Sequence, residues 1–538
     1  MISPGQLLGL PKFDEGWYPG QEAIWQQMMG WASSDERILG ASVPTGFGKS
    51  LLAMLLSHFS GLRTVYLTST KGLQGQLMAD FNRLGMVDIR GQNEYQCIQF
   101  NGVQVDSAPC KAGYQCPVKA ECSYYSQLGK AQSAKMVVTN YAYWLAQSEY
   151  GSGFSGSVPV VHKHPGGWKE VELEANPPQL LILDEAHMAS KALESFLAVE
   201  FTEFDKGNIN WEQKWDYDKW LAEGSRALPG IKQEIDDIYN MMQRDMDNRR
   251  DLVRRHRYLQ GLSNKIERLG QAMNWVQQVD EDRTTWTPLW VADYSHMLIR
   301  GVPKVMLMSA ILTPKSMQTL GLKGQWLEAD SPFPIRNTPI THVKTVKVDF
   351  RASDAQMQDW VDRIDEIISQ RQHQKGIIFT VSYARTKFLH ERSRFANQMY
   401  THHQRNVSQV VDRFKKAAAP AVLISPSVTT GYDFPGEQCE YVVVGKIPYP
   451  DTRQAIIKAR VKEDKDWTGA LAMETLVQET GRGTRSAEDT CQVLVIDDSW
   501  LWWWPKYKSF APKWFQQRVT RTVDRIPTPI MIYKEETL

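Results

Sequence analysis

Residues 43–50 read V-P-T-G-F-G-K-S and lie between an apolar run, ILGAS, and a periodic apolar one, LLAMLLSHF. Strand, glycine turn and helix in that order make a phosphate cradle. Gly46 and Gly48 let the backbone after Thr45 wrap closely around phosphate oxygens, and the helix N-terminus aims N–H groups at them. Lys49 would reach the β- and γ-phosphates, and Ser50 would ligate Mg²⁺. The strict G-x-x-x-x-G-K-[ST] pattern fails only at its first position, Val43.

A second strand, QLLILDEAH, ends in Asp184, Glu185, Ala186 and His187. A buried parallel strand delivers carboxylates to its C-terminal edge, where open α/β sheets bind ligands. There Asp184 would hold Mg²⁺ through water, and Glu185 would polarise an attacking water. An isolated Asp-Glu pair also simply caps helices, but the phosphate cradle gives this one a partner. Further on, LAMETLVQETGRGTRSAED (471–489) predicts a helix reaching Gln478, Arg482 and Arg485. Its two guanidinium groups, three residues apart on one face, would clamp a γ-phosphate held by another domain.

Four of the six cysteines, Cys97, Cys110, Cys116 and Cys122, fall within 26 residues of polar sequence. The chain starts without a basic and apolar leader, and no window approaches 18 unbroken apolar residues, so a soluble intracellular protein is expected. In that setting a cysteine cluster indicates metal chemistry rather than disulfides. The spacing C-x12-C-x5-C-x5-C suits an iron–sulfur cluster or zinc, although zinc ribbons usually carry C-x2-C pairs. Cys439 and Cys491 lie in apolar runs and read as buried thiols.

The elements that must position these groups need room. With 538 residues, 42% hydrophobic and 23% charged, the chain can build several packed domains. A net charge of +1 means that any nucleic acid would be held by local basic grooves. The 135 residues between Lys49 and Asp184 exceed one β-α-β step, so a segment is inserted there. KGIIFTVSY (375–383) and VLISPSVTTGYDFPG (422–436), with Gly431 and Asp433, predict strands of a second α/β domain.

In order, these motifs resemble superfamily 2 helicases, specifically the XPD/DinG family of iron–sulfur DNA helicases. P-T-G-F-G-K-S resembles motif I, and YPGQ (18–21) the adenine-reading motif with Gln21. YLTSTKGLQGQL (66–77) resembles motif Ia, KVMLMSAIL (304–312) motif III and YVVVGKIPYPD (441–451) the run after motif V. NEYQC, ending at Cys97, and MVVTNYAYWL (136–145) resemble the segments that flank the family's cluster. Two positions depart: Ile311 replaces a hydroxyl in motif III, and Thr430 a common glutamate in motif V.

The resemblance implies an α/β fold of two RecA-like motor domains, with a small four-cysteine domain and a helical arch inserted in the first. Residues 1–90, 133–198 and 296–342 would form the first motor domain, 91–132 the cluster domain, 199–295 the arch and 343–538 the second motor domain. It implies ATP, Mg²⁺ and a [4Fe–4S] cluster on the four cysteines. Further implications are single-stranded DNA and forked or 5′-tailed duplexes as partners, and 5′ to 3′ unwinding. A cytoplasmic monomer of bacterial or phage origin is the accompanying expectation.

Other readings remain open from the residues. A metabolic P-loop kinase has no use for Q-x-x-G-R-x-x-R, an ATP-gated clamp would bind DNA without unwinding it, and the D-E-A-H letters admit an RNA track. The insert's proline-free stretch 231–279 predicts an antiparallel helical pair. Arg249, Arg250, Arg254 and Arg255 would face DNA or simply solvent. WLWWWPKYKSFAPKWF (500–515) would be packing or a base-stacking surface.

Overall fold

The computed structural model describes residues 2–112, 115–150, 159–164, 167–172, 176–244, 249–271, 274–426, 432, 434–483 and 489–530. Two all-parallel sheets organise it. The first has seven strands in the order Gln325–Glu328, Ile38–Ser42, Lys304–Ser309, Leu180–Asp184, Thr64–Thr68, Met136–Asn140 and Met86–Asp88. The second has six, in the order Ile340–Val346, Gln492–Asp497, Tyr441–Val444, Lys375–Phe379, Ala421–Ser425 and Met399–Tyr400.

The inner strands are fully buried and rich in Val, Ile, Leu and Met, as sheets covered by helices on both faces require. Because the strands run parallel, their C-terminal ends share one edge. Ser42, Thr68, Asp184 and Ser309 therefore come together although up to 267 residues separate them.

Two segments interrupt the first sheet. The cysteine segment has little regular structure: short 3-10 turns at Val105–Ser107, Pro109–Ala112 and Lys119–Glu121 lead into helix Ser123–Ser133. Its contribution to the core is small, with Val105, Ala108, Cys122 and Tyr124 buried.

The second insert contains the expected helix pair, Tyr217–Arg244 and Arg249–Gln271, packed around Ile231, Ile238, Leu259 and Leu262. It also contains an antiparallel sheet of Val199–Thr202, Arg283–Pro288 and Trp275–Val279, which the sequence reading did not anticipate. The two inserts touch: Arg257 donates to Ser107 Oγ at 2.7 Å and lies 3.4 Å from Asp106. Arg255 is bound inside its own insert by Glu234 and Asn208, and exposed Arg254 pairs with Asp251.

The tryptophan-rich tail is mostly packing. Trp500, Trp503, Trp514 and Phe515 are buried in the second unit's core, whereas Leu501 and Trp502 are large apolar side chains left exposed. No helix among the described residues is long and apolar enough to cross a membrane.

Candidate functional site

A cleft of about 750 Å³ separates the two sheet units. Its first wall is the turn after Ile38–Ser42. Gly46 and Gly48 have φ of 77° and 84°, a left-handed backbone that glycine adopts without a Cβ penalty, and Gly48 caps helix Lys49–Ser60. Thr45, Gly46, Gly48, Lys49 and Ser50 all line the cleft. Gln21, only 2% exposed, braces this turn: its Nε2 donates to Phe47 O at 2.7 Å, and its Oε1 accepts from Tyr18 N–H at 3.1 Å. Gln21 thus supports the phosphate turn as well as lining the cleft.

Asp184 and Glu185 close the floor. Burial, then the Glu185 charge, pushes the Asp184 carboxyl up to about 6, with Lys49 pulling the other way. Glu185 has φ 48° and ψ 46°, an unfavourable backbone for a side chain with a Cβ, and Asp184 Oδ1 accepts its N–H at 2.9 Å. Beside them is Tyr66, fully buried on strand Thr64–Thr68. Its hydroxyl lies against Asp184 and Ser50 without satisfying hydrogen-bond geometry to either. A buried hydroxyl without a partner, beside a carboxylate, a serine and a lysine, fits an aquated Mg²⁺ with phosphates. Sequence reading missed Tyr66 because its aromatic ring looks like strand packing.

The opposite wall belongs to the second unit. Helix Trp467–Thr480 brings Gln478 into the cleft in its last turn. Gln478 Nε2 lies 2.6 Å from His187 Nε2, and His187 Nδ1 lies 2.8 Å from Ser309 Oγ. Burial lowers the imidazole to about 4, so it is neutral. Its role as the joint between the units had no signal in the sequence beyond its place in D-E-A-H.

Arg482 departs from expectation. The helix ends at Thr480 with Gly481 as its C-cap, so Arg482 sits in the turn beyond it rather than on a helical face. Its Nη1 donates to Tyr432 O at 2.7 Å, and Glu185 is among the charges that act on it. Arg485, Gly431, Asp433 and Thr430 lie outside the described residues. Ile311 packs, with Ala310, into the core of the second unit, and Trp514 Nε1 donates to Ala310 O at 3.1 Å. The missing hydroxyl is replaced by apolar contact between the units.

At the second candidate centre, Cys97, Cys110 and Cys116 are half-buried and Cys122 buried, none of them in a disulfide. Burial and then the neighbouring Cys97 and Cys122 raise the Cys116 thiol. Burial, followed by Cys110 and, more weakly, Cys122 and Cys116, raises the Tyr125 hydroxyl. Cys97 and Cys122 thus act on Cys116, and Cys110, Cys116 and Cys122 on Tyr125; four thiols are a donor set whose chemistry fits iron–sulfur ligation. They do not form a closed ligand shell: among the described residues, no group of three or more His, Cys, Asp or Glu side chains is arranged to hold a metal ion. Cys439 and Cys491 are a separate, fully buried pair, as expected.

A helicase C-terminal domain family matches residues 364–518, the part of the chain that contains Gln478 and Arg482. No curated protein matches the chain in sequence. Among solved structures, an XPD helicase is 16% identical with a TM-score of 0.62, covering 94% of this chain and 100% of its own. Xpd4 from S. tokodaii is 12% identical, TM-score 0.57, covering 94% and 99%. An XPD in its apo form is 14% identical, TM-score 0.55, covering 91% and 98%. Residues 364–518 match a helicase C-terminal domain family, and the chain as a whole has the fold of the XPD helicases.

Proposed function

We propose that this protein is an ATP-dependent DNA helicase that moves 5′ to 3′ on single strands and opens duplexes bearing a 5′ tail. The observation that carries the reading is the shared cleft. Lys49, Ser50, Asp184 and Glu185 face it from one sheet unit, and Gln478 and Arg482 from the other.

In this reading the glycine turn and Lys49 hold the triphosphate, and Ser50 and Asp184 would hold Mg²⁺, which would supply charge neutralisation for the phosphates. Glu185 orients the attacking water and takes its proton as the bond from the γ-phosphorus to the bridging oxygen breaks. Arg482 stabilises charge on the γ-phosphoryl oxygens, and Arg485 is proposed as its partner. Gly431 and Asp433 are proposed to contact the nucleotide from the second unit. Hydrolysis removes the bridge between the walls, so the units separate and the strand steps.

The two inserts that meet at Arg257 and Asp106 are read as the arch and cluster domains beside the strand's path. Cys97, Cys110, Cys116 and Cys122 would hold a [4Fe–4S] cluster. Its covalent bonds would order a segment that has few buried side chains of its own. Polarity and the preference for DNA rest on the family resemblance.

The test is unwinding of duplexes with a 5′ tail, a 3′ tail or no tail, alongside ATP turnover with and without single-stranded DNA and RNA. Stimulation by DNA and opening from the 5′ tail alone are expected. Opening from the 3′ tail would overturn the polarity, and stimulation only by RNA would overturn the DNA track.

A further inference from the structure

Arg460 lies on helix Ala455–Glu463 of the second sheet unit and is only 7% exposed. Its guanidinium reaches across to the first unit and to the root of the insert. Nη2 pairs with Glu194 Oε2 at 2.5 Å, on helix Ala189–Leu197, which continues directly from the D-E-A-H turn. Nε donates to Leu289 O at 2.8 Å, and Nη2 lies 3.4 Å from Pro288 O, where the helical insert rejoins the first unit. The ring of Trp290 is 5.5 Å from the guanidinium carbon and that of Trp467 is 5.1 Å from it.

Neighbouring contacts reinforce this joint. Trp290 Nε1 donates to Glu463 Oε2 at 2.5 Å, Gln278 Oε1 of the insert accepts from Ala455 N–H at 3.0 Å, and Lys315 pairs with Asp464 at 2.6 Å. Between the joint and the D-E-A-H turn is a cavity of about 60 Å³ lined by Ala186, His187, Glu194, Trp290, Arg460 and Glu474. The nucleotide cleft and the root of the insert are therefore separated by one arginine, one short helix and a small void.

A planar guanidinium that is paired, flanked by two indole rings and hydrogen-bonded to carbonyls at once is not replaceable by a lysine ammonium. Nor can it keep every partner if the two units move apart, because its own helix travels with the second unit. We infer that Arg460 is a positioning residue that transmits opening and closing of the cleft to the helical insert. The inference rests on the reading that the cleft takes ATP.

Hydrogen exchange on the full chain tests it, with a non-hydrolysable ATP analogue and Mg²⁺ as the probe. Binding should slow exchange in the insert's ribbon, residues 275–288, at least fivefold in the unaltered protein. Arg460→Lys and, independently, Glu194→Gln should lose that response while binding the analogue within about threefold of the original affinity. A ribbon indifferent to bound analogue in the unaltered protein overturns the inference. So does a full response in both variants, or exchange raised equally with and without nucleotide, which would mark a purely structural contact. If the analogue does not bind the unaltered protein, the ATP reading falls and takes this inference with it.

Discussion

Gln478 and His187 are joined across 2.6 Å, and that contact fixes the direction of a chain of donors. The neutral imidazole accepts at Nε2, so it carries its proton on Nδ1 and donates to Ser309 Oγ at 2.8 Å. Ser309 in turn donates to Glu185 Oε2 at 3.4 Å, and His187 Nδ1 itself lies 3.4 Å from the same oxygen. A side chain of the second unit thereby orients the carboxylate proposed to act on water.

Breaking that chain should slow turnover more than it weakens nucleotide binding. Gln478→Ala and Ser309→Ala are each expected to lower kcat roughly tenfold, about 1.4 kcal/mol of transition-state stabilisation. The double variant should be far less than additive. Steady-state kinetics of the four proteins decides this, and additive losses would separate the two residues.

Lys49→Ala should abolish ATP turnover and leave the thermal unfolding midpoint within a few degrees, because Lys49 serves the cleft rather than the core. Turnover near normal would remove the cleft from consideration.

Tyr66→Phe separates stability from ligand binding. Removing a buried hydroxyl that lacks a partner should cost nothing in the nucleotide-free protein, since such a group costs roughly 1–3 kcal/mol to bury. The midpoint gain on adding Mg²⁺ and an ATP analogue should shrink. An unchanged ligand-induced shift would show that the hydroxyl does not meet the metal's water.

Glu479 gives a pH signature. It is 1% exposed, its Oε2 has no partner, and burial pushes the carboxyl up to about 8, opposed by Arg482. With the folded value above the ordinary 4.5, its contribution to stability is complete below pH 4.5 and is lost as pH rises towards 8. Near pH 7.5 the cost is roughly 4 kcal/mol, so Glu479→Gln should raise the midpoint there and change it little at pH 4.5. Melting curves across that range test the slope.

Protein purified without oxygen should be brown and carry about four irons per chain. Cys110→Ser should bleach it and abolish duplex opening more completely than strand-stimulated ATP turnover. Stoichiometric zinc in a colourless, active protein would refute the cluster.

The phosphate turn, the Asp184–Glu185 strand end and Gln478 were legible in the sequence because each is a local pattern whose chemistry depends on neighbours a few residues away. Parallel strand order then carried those patterns to one edge, as apolar strands covered on both faces must. The helix pair of the second insert was legible for the same local reason. Its ribbon was not, because Trp275–Val279 and Arg283–Pro288 become strands by pairing with each other and with distant Val199–Thr202. Only tertiary structure placed Arg482 beyond the helix end, gave Ile311 to the second unit's core, left the Tyr66 hydroxyl unpaired beside Asp184 and set Arg460 against Glu194. Each of those depends on contacts between segments that are remote in the chain, and the burial and pairing that fix them exist only once those segments have packed together.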